Sequence, residues 1–263
     1  SGDPARLART LDEGGFDAVF DFPLHYAMID HFCGGAPLSR ISGTLSLDRL
    51  YGPRPGDRLV TFLDNHDLPR VMSACGGAAD RVDRALVLLF GLRGTPALSW
   101  GTEALVEGAE EPANRVSLPW DRADVRRDAL AALQGLRAAH PALDRGQTRI
   151  LHASEDLLVL GRWTDQDAAL IRIHTGDGFS TWSPPQALVT GSQVVASARG
   201  TDRIAVERTV RAVPDVLACR GEGVWIDVLE PMGDSVPWAD WQPVGPLRTV
   251  DVHVSGAPEG ELR

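Results

Sequence analysis

An apolar run, Leu59-Val60-Thr61-Phe62-Leu63, gives way abruptly to Asp64-Asn65-His66-Asp67. Two carboxylates, an amide and an imidazole in sequence concentrate more hydrogen-bonding and charged groups than a turn requires. The structural alternative is that Asp67 only caps the turn beginning at Leu68-Pro69. Arg70, just beyond, is placed either to orient a carboxylate or to line a binding subsite. Asp21 and Glu103 are the other carboxyls near expected strand ends, with Glu103 read as a partner for loop backbone. His25 and His31 read as ordinary helix-face histidines, since no acidic cluster accompanies them as metal ligands would require. Cys33, Cys75 and Cys219 form no CxxC pair and leave one over if two bond, so neither a zinc knuckle nor a disulfide framework is expected. No lysine occurs in the chain, which removes a P-loop lysine and Schiff-base chemistry from consideration.

The elements that must carry these groups follow from periodicity. Up to about Leu143, short apolar runs alternate with amphipathic stretches, the pattern of successive β/α units. Expected strands are Phe16–Phe22, Leu59–Leu63 and Thr95–Trp100. Expected helices are Leu24–Phe32, Ala79–Leu92 and Val125–His140, the last capped by Asp121 or Asp124 and stopped by Pro141. Gly34 to Asp57 reads as a long connection. Beyond about Arg149 helical period disappears and strand-like runs take over: Leu157–Trp163, Ala168–His174, Gln193–Ala198, Arg203–Val206 and Val224–Leu229. The expected organisation is an α/β domain over residues 1–148 and an all-β domain over 149–263. Where parallel strands form a β/α barrel, their C-terminal ends carry the active site, which is where Asp64 to Asp67 fall. Trp225, Trp238 and Trp241 in the β region serve either as core or as flat platforms for sugar rings.

With 263 residues, 43% hydrophobic and 24% charged, the composition is that of a globular protein. The longest apolar run, Ala85 to Leu92, is far shorter than the roughly 20 residues a bilayer crossing needs. A formal net charge of -10, with no basic stripe, disfavours nucleic acid and suits a neutral polyol. Ser1 opens the chain in what reads as mid-domain, with no basic and apolar leader, so an export signal is expected to be lost with a missing N-terminus and localisation is unreadable, with cytoplasm slightly favoured.

Phe62-Leu63-Asp64-Asn65-His66-Asp67 resembles the fourth conserved region of the α-amylase family of glycoside hydrolases, where Asn-His-Asp ends barrel strand seven. Gly15 to Leu24 is similar to that family's strand-six segment, and Arg93 to Glu103 to its strand-eight segment. Pro112-Ala113-Asn114-Arg115 through Trp120, and Leu136-Arg137 through Leu143, resemble the loop and final helix that follow. The wording leans towards the cyclomaltodextrinase and neopullulanase branch. The resemblance covers roughly residues 3 to 163.

It implies the C-terminal part, about strands six to eight, of a (β/α)8 TIM barrel followed by an all-β, sandwich-like domain. The implied activity is retaining cleavage of α-glucosidic bonds in starch-like oligosaccharides. Such enzymes need a nucleophilic and an acid/base carboxyl about 5 Å apart. The family places both at strands four and five, ahead of this stretch, so the chain alone is expected to be inactive. Asp67 would be the third catalytic carboxylate, with His66, Asn65 and Arg70 binding substrate. No cofactor is implied here, and calcium, where the family holds it, lies in other regions. A three-strand slice exposes two parallel edges, so the N-terminal barrel portion or self-association is the expected protein partner. The alternative is a non-catalytic amylase-like module that binds glycan or protein. The coordinates are expected to put Asn65 to Asp67 at the C-terminal end of a parallel strand, flanked by Asp21-Phe22 and Trp100-Gly101.

Overall fold

The computed structural model describes residues 2–122 and 124–243. Its first part contains α1 (Pro4–Glu13), β1 (Val19–Phe20), α2 (Phe22–Phe32), α3 (Ser39–Ser46), β2 (Leu59–Phe62), α4 (Val71–Ala74), α5 (Ala79–Gly91), β3 (Thr95–Ala97), α6 (Arg127–Ala139) and α7 (Pro141–Arg145). β1, β2 and β3 form a parallel sheet in that order, with Phe20 beside Val60 and Phe62 beside Ala97. Parallel neighbours need crossovers, and α2 to α5 supply them.

Several expected boundaries move for local reasons. The first strand is only Val19–Phe20, because Asp21 turns the chain and its carboxylate accepts from Leu24 N at 3.1 Å, starting α2 at Phe22. The connection from 34 to 57 is not structureless: it holds α3, whose Ile41 and Leu45 are buried, and two short 3-10 turns. The third strand ends at Ala97. α6 starts at Arg127 without a side-chain cap, so neither Asp121 nor Asp124 plays the expected role. Pro141 ends that helix by opening α7. Cys33 and Cys75, far apart in sequence, are joined by a disulfide that the sequence reading did not anticipate.

The remaining described residues form β4 (Gln147–Ala153), β5 (Leu157–Trp163), β6 (Ala168–His174), β7 (Phe179–Trp182), α8 (Gln186–Gly191), β8 (Ser192–Gly200), β9 (Ile204–Ala212), β10 (Leu217–Arg220) and β11 (Gly223–Pro231). Six strands make an antiparallel sheet in the order β4-β5-β6-β11-β8-β9, and β7 pairs with β10. The β domain expected over 149–263 extends into residues 244–263, which lie outside the described residues.

α5 packs against β8, β9 and β11 of the antiparallel sheet and against α2 and α6, and is buried from Val82 to Gly91. Its second half, Ala85 to Gly91, is apolar on every side, as a core helix is, while Asp83 in the first half is paired with Arg126. Leu158, Ile171, Ile173, Ala198, Val224, Ile226 and Val228, all on one face of the antiparallel sheet, share its core. Gly91 permits this approach: a Cβ there would stand 2.8 Å from Ile226 Cδ1.

The buried end of α5 needs partners for its last carbonyls. Arg137 Nη1 donates to Phe90 O (2.9 Å) and Leu92 O (2.7 Å), and its Nη2 to Gly94 O (2.5 Å). From β5, Arg162 Nη1 donates to Gly91 O and Nη2 to Gly146 O, each at 3.0 Å. Arg93 then reaches Asp21 (2.5 Å) and, in two-point fashion, Asp48 (2.8 and 2.5 Å). Burial lowers the Arg93 pKa, but Asp21 and Asp48 together hold it above its ordinary value, so the group stays charged.

Arg93→Met leaves two buried carboxylates without their cation and should cost about 3–5 kcal/mol. Arg40→Ala, at the exposed Asp30 pair, should cost no more than about 1 kcal/mol. Urea denaturation of both variants is the check, and equal losses would refute the weight given to the buried cluster.

Candidate functional site at the end of the second parallel strand

Past Phe62 the chain turns, and Asp64 is the pivot. Its carboxylate, 3% exposed as a residue, accepts from Arg70 Nε at 3.0 Å and from Val71 N at 2.8 Å, tying the end of β2 to the start of α4. Its backbone carbonyl accepts from Ser99 Oγ at 2.9 Å, joining it to the segment after β3. Asn65 is half-buried and spends its Oδ1 on Asp67 N (2.8 Å), the Asx turn that shapes the loop.

Arg70 is fully buried. Besides Asp64 it donates to Trp100 O (2.6 Å) and Thr102 Oγ1 (3.4 Å), with its guanidinium 5.1 Å from the Trp100 ring centre. Of its two expected roles, this geometry carries the orienting of a carboxylate, and that carboxylate is Asp64. Its Nη1 is buried and has no hydrogen-bond partner among the described residues.

His66 and Asp67 point outward, with side chains 63% and 66% exposed. Asp67 Oδ1 lies 3.0 Å from Arg115 Nη2 and 3.4 Å from His66 Nε2. Among the described residues no backbone N–H donates to the Asp67 carboxylate, so it does not cap the following turn. The loop is held from the far side by Asn114, whose Nδ2 donates to His66 O (3.0 Å) and Leu68 O (3.2 Å), and by Arg115 Nε, which donates to His66 O (2.9 Å). Sequence reasoning missed these supporting roles; the Asn-Arg pair within the Pro112 to Trp120 segment was the available signal.

Because β1, β2 and β3 are parallel, Asp21-Phe22, Asn65 to Asp67 and Trp100-Gly101 all follow C-terminal strand ends. Asp21 is sealed against Arg93 and Asp64 against Arg70, so neither offers a second free carboxylate beside Asp67. Glu103 is half-buried, and its backbone carbonyl accepts from Arg126 N at 3.0 Å; among the described residues no backbone N–H donates to its carboxylate. Under the site, His25 stacks on Phe62 with ring centres 4.8 Å apart and planes 4° from parallel. Among the described residues no group of three or more His, Cys, Asp or Glu is placed to hold a metal ion.

No family model matches the sequence. The chain is 28% identical over 180 residues to a β/α-amylase of Paenibacillus polymyxa, covering 66% of this chain and 15% of that protein. It is 29% identical over 168 residues to a cyclomaltodextrinase of a Bacillus species, covering 61% and 30%. To a cyclomaltodextrin glucanotransferase of Paenibacillus macerans it is 33% identical over 119 residues, covering 45% and 16%. In fold it is similar to an Anoxybacillus α-amylase, with TM-score 0.73 and 24% identity over 89% of this chain and 52% of that one. An α-amylase of Geobacillus thermoleovorans, solved with acarbose, gives TM-score 0.72 and 23% identity at the same coverage. The chain thus spans 30% or less of these curated relatives and about half of these solved structures.

Burial lowers the pKa of both His25 and His31 below the ordinary 6.5. The folded protein holds them neutral while the unfolded chain takes protons near pH 6.5. Their contribution is therefore complete above that pH and is lost as pH falls from 6.5 towards the folded values. His25→Phe, which keeps the stack on Phe62, should flatten this acid slope, whose ceiling is about 1.4 kcal/mol per pH unit per group. Urea midpoints at pH 7.5 and 5.5 report it; an unchanged difference between the two pH values in the variant would contradict the assignment.

Proposed function

We propose that this chain, as the C-terminal portion of an α-amylase-family protein, contributes to the retaining cleavage or transfer of α-glucosidic bonds in starch-like oligosaccharides. In this reading β1, β2 and β3 are strands six to eight of a (β/α)8 barrel, and the β domain begins near residue 149. The observation that carries it is the contrast within one turn: Asp64 is buried and neutralised by Arg70, while Asp67 stands exposed at the strand's C-terminal end.

Asp67 is the negative charge that faces the oxocarbenium-like ring as it develops, and it also accepts from sugar hydroxyls. His66 hydrogen-bonds the same sugar, and Asn65 holds the turn that aims both. Arg70 acts as a positioning residue through Asp64 rather than by touching substrate. The nucleophile and acid/base come from outside these residues, on the N-terminal part of the barrel, which pairs with the free edge of β1. Phe16, Phe20 and Tyr26, 55%, 51% and 40% exposed beside that edge, are the apolar surface such a partner would cover. No cofactor is assigned to this portion.

In the protein carrying the remaining barrel strands, Asp67→Asn should lower kcat at least about 10²-fold with little change in KM, since the amide keeps the shape but loses the charge. His66→Ala should cost less and raise KM as well, because a neutral hydrogen bond serves substrate and transition state alike. Steady-state kinetics on a maltooligosaccharide, with circular dichroism to confirm folding, decide it. Near-normal kcat in a folded Asp67→Asn variant would remove the catalytic role and leave a binding module as the better reading.

A further inference from the structure

Trp238 and Trp241 are core residues, 0% and 6% exposed, but Trp225 is half-buried and lines an open cleft of about 300 Å³ on the antiparallel sheet. That volume is at the lower end of the roughly 300–1,000 Å³ usual for ligand pockets. The cleft lies on the face turned away from α5, because side chains alternate along a strand and Val224, Ile226 and Val228 face the core.

Strand register explains its composition. In one row across the sheet Arg172 of β6 lies beside Trp225 of β11, Trp225 beside Arg199 of β8, and Arg199 beside Ala205 of β9. In the next row, about 7 Å along the strands, Asp227 of β11 lies beside Ser197 of β8 and Ser197 beside Glu207 of β9. Small residues, Ser197 and Ala205, thus alternate with large ones and leave the depression. The Trp225 ring leans along its strand over Gly223, where a Cβ would stand 2.5 Å from Cη2. The Arg172 guanidinium lies over the ring, 6.0 Å from its centre, and the ring stays half-buried along the cleft wall.

The charges decide what fits. Asp227 is already neutralised by Arg172 Nη2 (2.5 Å) and Arg211 Nη2 (2.6 Å), so neither arginine is free to hold an anion. Arg199 and Glu207 face each other at 4.0 Å, too far for a hydrogen bond, with side chains 51% and 61% exposed. Donor and acceptor are thereby both available beside an aromatic platform, with little net charge. That combination suits a neutral ring bearing adjacent hydroxyls.

We propose that this cleft is a second carbohydrate site, holding a pyranose unit of a neutral oligosaccharide stacked on Trp225 and hydrogen-bonded by Arg199 and Glu207. That the sugar is an α-glucan rests on the function proposed above; the cleft itself rests on its own geometry. Its lining comes from β6, β8, β9 and β11 and does not include Asp67.

Calorimetric titration of the 263-residue chain with maltoheptaose and with cellohexaose tests it. Binding of maltoheptaose is expected, and Trp225→Ala should weaken it ~tenfold or more. Ala205→Arg, on a half-exposed edge strand, fills the cleft without removing core packing and should do the same, so the test survives if Trp225→Ala does not fold. Binding of cellohexaose instead, lost in the same variants, upholds the cleft and counts against the α-glucan reading. Absence of sugar binding, or binding unaffected by Ala205→Arg, overturns the proposal.

Discussion

The fold depends on how α5 ends. This helix is buried against the antiparallel sheet and the helices α2 and α6, and its last carbonyls have no water to turn to. Arg137 from α6 and Arg162 from β5 answer them with guanidinium donors, although burial, with Arg137 and Arg93 nearby, lowers the Arg162 pKa well below its ordinary value. Burial lowers Arg137 to about 10, still charged at neutral pH. The planar guanidinium, with five donors, can serve two or three carbonyls at once where an ammonium would serve as a point charge. In a chain whose basic residues are all arginine, this is the structural use to which the composition is put.

The same cluster fixes the site at a distance. Arg137 grips Gly94 just before β3, and Arg93 binds Asp21 just past the C-terminal end of β1, so the outer parallel strands are tied across the sheet as well as along their ladders. At the loop end Arg70 repeats the device with Asp64 and Trp100. The buried Arg70–Asp64 pair braces a turn on which His66 and Asp67 project. A carboxylate preorganised in that manner is suited to stabilising charge without moving.

Much of this was legible in the sequence where one physical signal dominated. β5 and β6 fall where their apolar runs lie, because both are central strands buried on two faces. The Asp64 to Asp67 cluster was visible as an excess of polar groups after an apolar strand. Other features depended on partners that sequence does not show. α3 has Ser and Gly in place of helix formers and exists because Ile41 and Leu45 find a core. β7 and β10 are short and take their pairing from each other. Cys33 and Cys75 come within 4.2 Å, Cα to Cα, only after α2 and α4 pack. Arg70 was read with two roles open, and only its burial separates them.

In the function proposed above, Asp67 alone among the carboxylates of this turn meets the sugar. The most direct test is a crystal structure of the protein with its full barrel and a bound maltooligosaccharide. The account predicts an Asp67 carboxylate oxygen within hydrogen-bond distance of sugar hydroxyls, with His66 on the same ring and the Asp64–Arg70 pair unchanged beneath. A sugar seated at the strand ends that touches neither Asp67 nor His66, or that reaches Asp64 in place of Asp67, would contradict it.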